Sequence, residues 1–138
     1  MLSKNRFRLA YFATFLLLFL CLMPVMTLGN EKLPLIPHFD KFVHFMMFSC
    51  TSAAWLYALE TENIEKRKGY KGLIMLFGVI VGWATEWMQS LPVIYRDTDF
   101  FDFSADMVGV IVAIKFSEFY IKKLNKLFSK KKKNEAPL

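Results

Sequence analysis

Four stretches of the chain are predominantly apolar over about the 20 residues that a helix needs to cross the hydrocarbon core of a bilayer. The first runs from Phe7 to about Gly29 and contains YFATFLLLFLCLMPVM; the second runs from Phe42 to Leu59; the third, LIMLFGVIVGWATEWMQSL, from Leu73 to Leu91; the fourth from about Phe100 to Ile121. Asp102, Asp106, Lys115 and Glu118 interrupt the fourth, which makes it the least clear of the set. The pattern predicts an all-α membrane protein with four transmembrane helices. One domain would span residues 7–121, between a short N-terminal segment, 1–6, and a polybasic tail, 122–138. There is no internal repeat and no long linker.

The first run also has the form of a secretory signal, because Lys4, Arg6 and Arg8 make a basic head before the apolar stretch. A retained helix is the preferred reading. The apolar core is long for a signal, Pro24 lies near its end, and Thr27-Leu28-Gly29 is a poor cleavage site.

Polar positions inside the runs fall on helical stripes, since residues at i, i+3, i+4 and i+7 share one face. Asp40, His44, Phe48, Thr51 and Trp55 align on the second run; Gly78, Gly82, Glu86 and Gln89 on the third; Asp102, Asp106, Gly109 and Ala113 on the fourth. In the last two the acid shares its stripe with a small-xxx-small pattern, GVIVG and GVIVA, of the kind that lets helix backbones approach closely. The acids are therefore expected to face protein. Trp83 and Trp87 fall toward the other side of the third run, where Trp87 suits an interfacial anchor.

Composition agrees with a membrane setting: 55% of the 138 residues are hydrophobic and 15 are Phe. The net charge of +6 would ordinarily raise nucleic-acid binding, but the distribution of charge argues for topology instead. Lys4, Arg6 and Arg8 precede the first run, Lys66, Arg67, Lys68 and Lys71 lie between the second and third, and Lys122, Lys123, Lys126 and Lys130 to Lys133 follow the fourth. Only Lys32, Lys41 and Arg96 fall in the other two connections. Because short loops rich in Lys and Arg stay inside, both termini of a multi-pass chain are expected in the cytoplasm. The tail KKLNKLFSKKKK then reads as an anchor that attracts anionic lipid rather than RNA. Lys115 is expected to snorkel, with Glu118 as an i+3 partner. Cys21 and Cys50 read as small apolar residues within helices.

With that orientation, His44, Glu86, Gln89, Asp102 and Asp106 occupy one level near the outer leaflet, beneath a connection that offers Arg96, Asp97 and Asp99. A structural reading makes this a salt-bridged plug, in which Arg96 neutralises one or two of Asp97, Asp99 and Asp102 while His44 donates to Glu86. So many ionisable groups at one depth favour a functional site, because such groups are costly in a bilayer.

Three blocks add a resemblance. DKFVHF at the head of the second run, E-x-x-Q in EWMQ, and R-x-x-D-x-x-D-x-x-x-D-x-x-G in RDTDFFDFSADMVG resemble, in order and spacing, the VanZ-like family of small bacterial membrane proteins over residues 7 to 121. The resemblance implies site roles for Asp40, Lys41, His44, Phe45, Glu86, Gln89, Arg96, Asp99, Asp102, Asp106 and Gly109. The family more often has Asn at the position of Asp106. It takes its name from a member associated with low-level teicoplanin resistance, so the resemblance implies an antibiotic-resistance phenotype and a family, not a reaction.

Two classes of function remain open. One is a binding or accessory protein presenting an outer-leaflet groove to membrane lipids, a lipid-linked envelope precursor or a lipoglycopeptide. The other is a membrane-embedded enzyme acting on an anionic envelope lipid, with His44 or Glu86 as general base, Arg96 holding the head group, and Asp102 and Asp106 as acids or metal ligands. A His with three carboxylates is chemically able to hold a divalent metal, but no two ligands show a tight spacing such as H-E-x-x-H, so no metal and no cofactor are assigned. A proton or ion path is disfavoured by the lack of polar residues in the cytoplasmic halves of the runs.

Overall fold

Helices follow the four apolar runs and overshoot most of them. The computed structural model describes residues 2–22, 39–60, 63–90 and 100–134, and side chains at 4–22, 41–60, 63–90 and 100–126. Four helices make up these residues: α1 (Leu2–Leu22), α2 (Phe39–Ala58), α3 (Ile64–Gln89) and α4 (Phe100–Asn134). The part of the first run after Leu22 lies outside the described residues.

Two boundaries differ from expectation for an identifiable reason. The basic segment before the third run is not a loop but the opening of α3, started by the Asn63 side chain, which accepts from the Lys66 N–H at 3.0 Å. That cap satisfies one of the free N–H groups of the first turn. The lysines, arginine and glutamate that follow are good helix formers. The 26 residues of α3 span about 39 Å, longer than a bilayer core of about 30 Å. The polybasic tail is likewise helical, continuing α4 to Asn134, because the run of Lys, Leu, Phe, Asn and Ser from 122 to 134 contains no Gly or Pro to stop it.

The helices alternate in direction, so the N-termini of α2 and α4 meet the C-termini of α1 and α3 at one end of the bundle. α2 touches all three other helices and packs most extensively along the parallel α4. The tightest approach is at Gly109, where an added Cβ would collide with the Phe45 carbonyl oxygen and lie 3.1 Å from the Ser49 nitrogen. At Gly78 the obstacle is instead the Val110 side chain, at 2.7 Å. Phe48, Val110 and Ala113 fill the seam as part of one core cluster with Leu17, Leu56 and Ile74.

α1 is held by polar contacts as well as packing. The Trp55 indole donates to the Thr14 hydroxyl at 2.9 Å, and the Thr51 hydroxyl donates to the Ala13 carbonyl at 3.3 Å. At the basic end, Arg6 donates to Glu60 at 3.1 Å and to Asn125 at 2.9 Å, lies over the Tyr57 ring, and so ties α1 to α2 and α4. Glu118, expected to pair with Lys115, is engaged by Lys71 at 3.3 Å and Arg67 at 3.9 Å, across the α3–α4 contact. Of the two cysteines, Cys21 is buried as expected; Cys50 is exposed, because it sits on the outward side of α2.

Two of the four helices, over Lys4–Leu22 and Ile64–Gln89, are long and apolar enough to cross a membrane. Both carry their large apolar residues outward: Phe12, Phe15 and Phe19 on α1, and Leu76, Ile80 and Trp83 on α3, are all exposed. α2 and α4 carry polar residues on their buried faces, among them His44, Thr51, Asp102, Asp106 and Ser117, while Lys115 and Glu118 of α4 are exposed.

The Gly109 contact is backbone against backbone, so Gly109→Ala is expected to destabilise the bundle by about 1–3 kcal/mol, as overpacking typically does. Gly69, with nothing within 4 Å, is the control; its replacement by Ala should be neutral or stabilising by up to about 1 kcal/mol. Thermal unfolding of both variants in detergent checks the contrast, and equal midpoints would contradict the proposed seam.

Candidate functional site

The N-terminal turns of α2 and α4 run side by side, and a step of about one turn along each, three residues on α2 and four on α4, brings successive polar pairs together. On the first rung, the Lys41 ammonium donates to Asp102 at 3.0 Å. One turn deeper, Nδ1 of His44 meets Oδ1 of Asp106 at 3.0 Å. The next turn is the glycine contact itself. The stripes bury the groups they were expected to bury: His44 is 1% exposed, Asp106 0%, Asp102 4%, and Gln89 0%.

The partners differ from the structural plug anticipated above. Asp102 is held by Lys41, from the same rung, and the expected Arg96 contact falls outside the described residues. His44 bonds to Asp106, across the most extensive helix contact that α2 makes. Glu86 is nonetheless close and 9% exposed: one ligand atom from each of His44, Glu86 and Asp106 lies within 4.8 Å of the others. Asp106 Oδ2 points toward α3, at 3.4 Å from where a Cβ on Gly82 would sit, one turn from Glu86 on the same face.

Gln89 has a role that the resemblance did not suggest. Its amide donates to the Cys21 carbonyl at 2.8 Å. That carbonyl is among the last four of α1, which have no partner within the helix. The contact orients the amide, leaving Gln89 Oε1 buried and without a hydrogen-bond partner among the described residues, as is Asp106 Oδ2.

His44, Glu86, Gln89, Asp102, Asp106 and Lys41 thus gather at one end of the bundle. The side chain of Asp40, and Arg96, Asp97 and Asp99, lie outside the described residues. The Arg6–Glu60–Asn125 network at the opposite end was not anticipated; its members are 54 and 119 positions apart from Arg6 and belong to no periodic pattern, so only charges near helix ends hinted at it.

No protein-family model matches the chain, no curated protein is similar to it, and no solved structure matches its fold. Chemistry read from the site itself therefore carries the functional argument. An imidazole held by a buried carboxylate is fixed in ring orientation, and a second carboxylate from α3 faces it. Such a set can transfer a proton, bind a cation, or hold the polar head of a ligand.

If the His44–Asp106 bond is the main partner of both groups, their effects on stability must be coupled. A double-mutant cycle with His44→Ala and Asp106→Ala is expected to give a coupling energy of about 1 kcal/mol or more, toward the upper part of the range for polar pairs in membrane proteins. Additivity within roughly 0.3 kcal/mol would show that the pair does not act as a unit.

Proposed function

We propose that the chain is a multi-pass protein of the bacterial cytoplasmic membrane, VanZ-like in its motifs, in which all four helices cross the bilayer and both termini are cytoplasmic. Its polar end lies in the outer leaflet and binds the head group of a membrane lipid, a lipid-linked envelope precursor or a lipoglycopeptide, with an effect on susceptibility to teicoplanin-type antibiotics. The observation that carries the membrane reading is the distribution of apolar surface. Val108, Ile111, Phe116 and Phe119 are exposed on α4 just as large apolar residues are on α1 and α3, whereas His44, Asp102 and Asp106 are buried. A water-soluble bundle would have the opposite arrangement. The asymmetry of Lys and Arg supports the orientation.

A binding role is supported by the concentration of buried polar groups from three helices at a single level. One observation favours the second reading, an enzyme acting on an anionic envelope lipid: the His44–Asp106 contact at 3.0 Å is the arrangement that orients a general base. Asp102 is less suited to acid–base work than the sequence implied, since Lys41 engages it.

Topology is tested by a membrane-impermeant thiol reagent on intact cells of a strain whose only cysteine is introduced. Labelling is expected at Thr98→Cys and not at Ser129→Cys; the reverse would invert the orientation and move the site to the inner leaflet. The ligand reading is tested by mass spectrometry of co-purified lipids. A lipid enriched in the wild type should be lost from the His44→Ala, Arg96→Ala double variant at unchanged protein abundance. Identical lipid profiles would remove the support for head-group binding.

A further inference from the structure

We infer that His44, Glu86 and Asp106 form a binding site for one divalent transition-metal ion. The inference deepens the reading of this end of the bundle as the ligand site, because it names the group through which an anionic head group would be held. Three helices each contribute one ligand, an imidazole and two carboxylates, and an atom of each lies within 4.8 Å of the other two. All three residues are buried. The His44 Nδ1 to Asp106 Oδ1 separation of 3.0 Å suits two ligands of one ion at about 2.1 Å each, with an angle between them of about 90°.

A hydrogen-bonded pair has the same separation, so a second observation is needed to favour a cation. Asp106 Oδ2 supplies it. This oxygen is buried in a residue that is 0% exposed, faces the helix that carries Glu86, and has no hydrogen-bond partner among the described residues. Gln89 Oε1, one turn beyond Glu86, is a further buried acceptor without a partner among the described residues. The Gln89 nitrogen is committed to Cys21, so the amide is held with its donor directed away. Buried acceptors without a partner are costly in a low-dielectric setting, and a cation beside Asp106 would satisfy one of them.

The ligand set selects the class of ion. One nitrogen with carboxylate oxygens suits Zn²⁺ or Mn²⁺ better than Ca²⁺ or Mg²⁺, which take oxygen ligands and, for Mg²⁺, retain most of their water. Three protein ligands leave at least one coordination position for water or for an oxyanion such as a phosphate. The bound imidazole must offer the Nδ1 lone pair, which places its proton on Nε2.

The test uses the full, tag-free chain in detergent, stripped with chelator and equilibrated with Zn²⁺ or Mn²⁺, with bound metal measured by elemental mass spectrometry. About one equivalent is expected in the wild type and in His38→Ala, which removes the other histidine. Glu86→Gln and Asp106→Asn should each weaken binding by more than about tenfold. The metal should also raise the thermal midpoint of the wild type but not of these variants. Less than a tenth of an equivalent in folded wild-type protein overturns the inference, and so does wild-type affinity in both carboxylate variants. If either variant does not fold, the other decides the assignment, and the wild-type stoichiometry stands by itself. Co-purified lipid without metal would sink this site and spare head-group binding; metal without lipid would do the reverse.

Discussion

The bundle depends on the backbone of α4 lying directly against the backbone of α2 at Gly109. A side chain there would strike the Phe45 carbonyl, so only glycine permits the distance at which the two helices run. Because the helices are parallel and in register, that distance is carried one and two turns toward their N-termini. It is what allows short polar side chains, Asp102 and Asp106, to reach Lys41 and His44. Were the helices an ångström or two further apart, the pairs would lose bonding distance, and each group would face an apolar setting with its hydrogen-bonding capacity unmet.

The two ends of the bundle solve the problem of buried charge differently. At the basic end, Glu60 is engaged by Arg6 and Asn125, and Glu118 by Lys71 and Arg67, so each of these two acids meets two donor side chains. The Glu118 pairs are well exposed and contribute little to stability. At the other end the described acids are deeper and the described cations fewer. Lys41 serves Asp102, and Asp106 has His44 on one oxygen only among the described residues. The first end is built to hold helices together. The second retains acceptor capacity in a place where retaining it is costly, which is the usual mark of a site kept for a ligand.

The same reasoning explains why the stretches long and apolar enough to cross a membrane lie on α1 and α3 among the described residues. α1 and α3 expose most of their large residues, so their composition must match their surroundings. α2 touches every other helix and spends its polar residues on internal contacts: Thr51 and Trp55 toward α1, Lys41 and His44 toward α4. A helix of this kind is held by its neighbours, and its polar side chains are matched inside the bundle.

The lengths of the apolar runs determined the existence of four helices, and periodicity determined the faces that α2, α3 and α4 bury. A spacing of three and four residues places Gly78, Gly82, Glu86 and Gln89 on one side of a helix whatever the helix packs against, and those residues are buried. It also located the level at which His44, Glu86 and Asp106 meet, since depth follows from distance along each helix. Sequence could not choose between partners. Whether His44 meets Asp106 or Glu86, and whether Lys41 reaches Asp102, depends on which helices adjoin and in what register, and those follow from the Gly109 contact and the packing of Phe48 and Val110 in the seam. Helix ends were also beyond an apolar pattern, because α3 begins at a cap on Asn63 and α4 continues through lysines, where hydrogen bonding and propensity act without any hydrophobic signal. Most dependent on tertiary structure was Gln89, whose amide is used by a carbonyl 68 positions away; only the meeting of two helix C-termini brings them together.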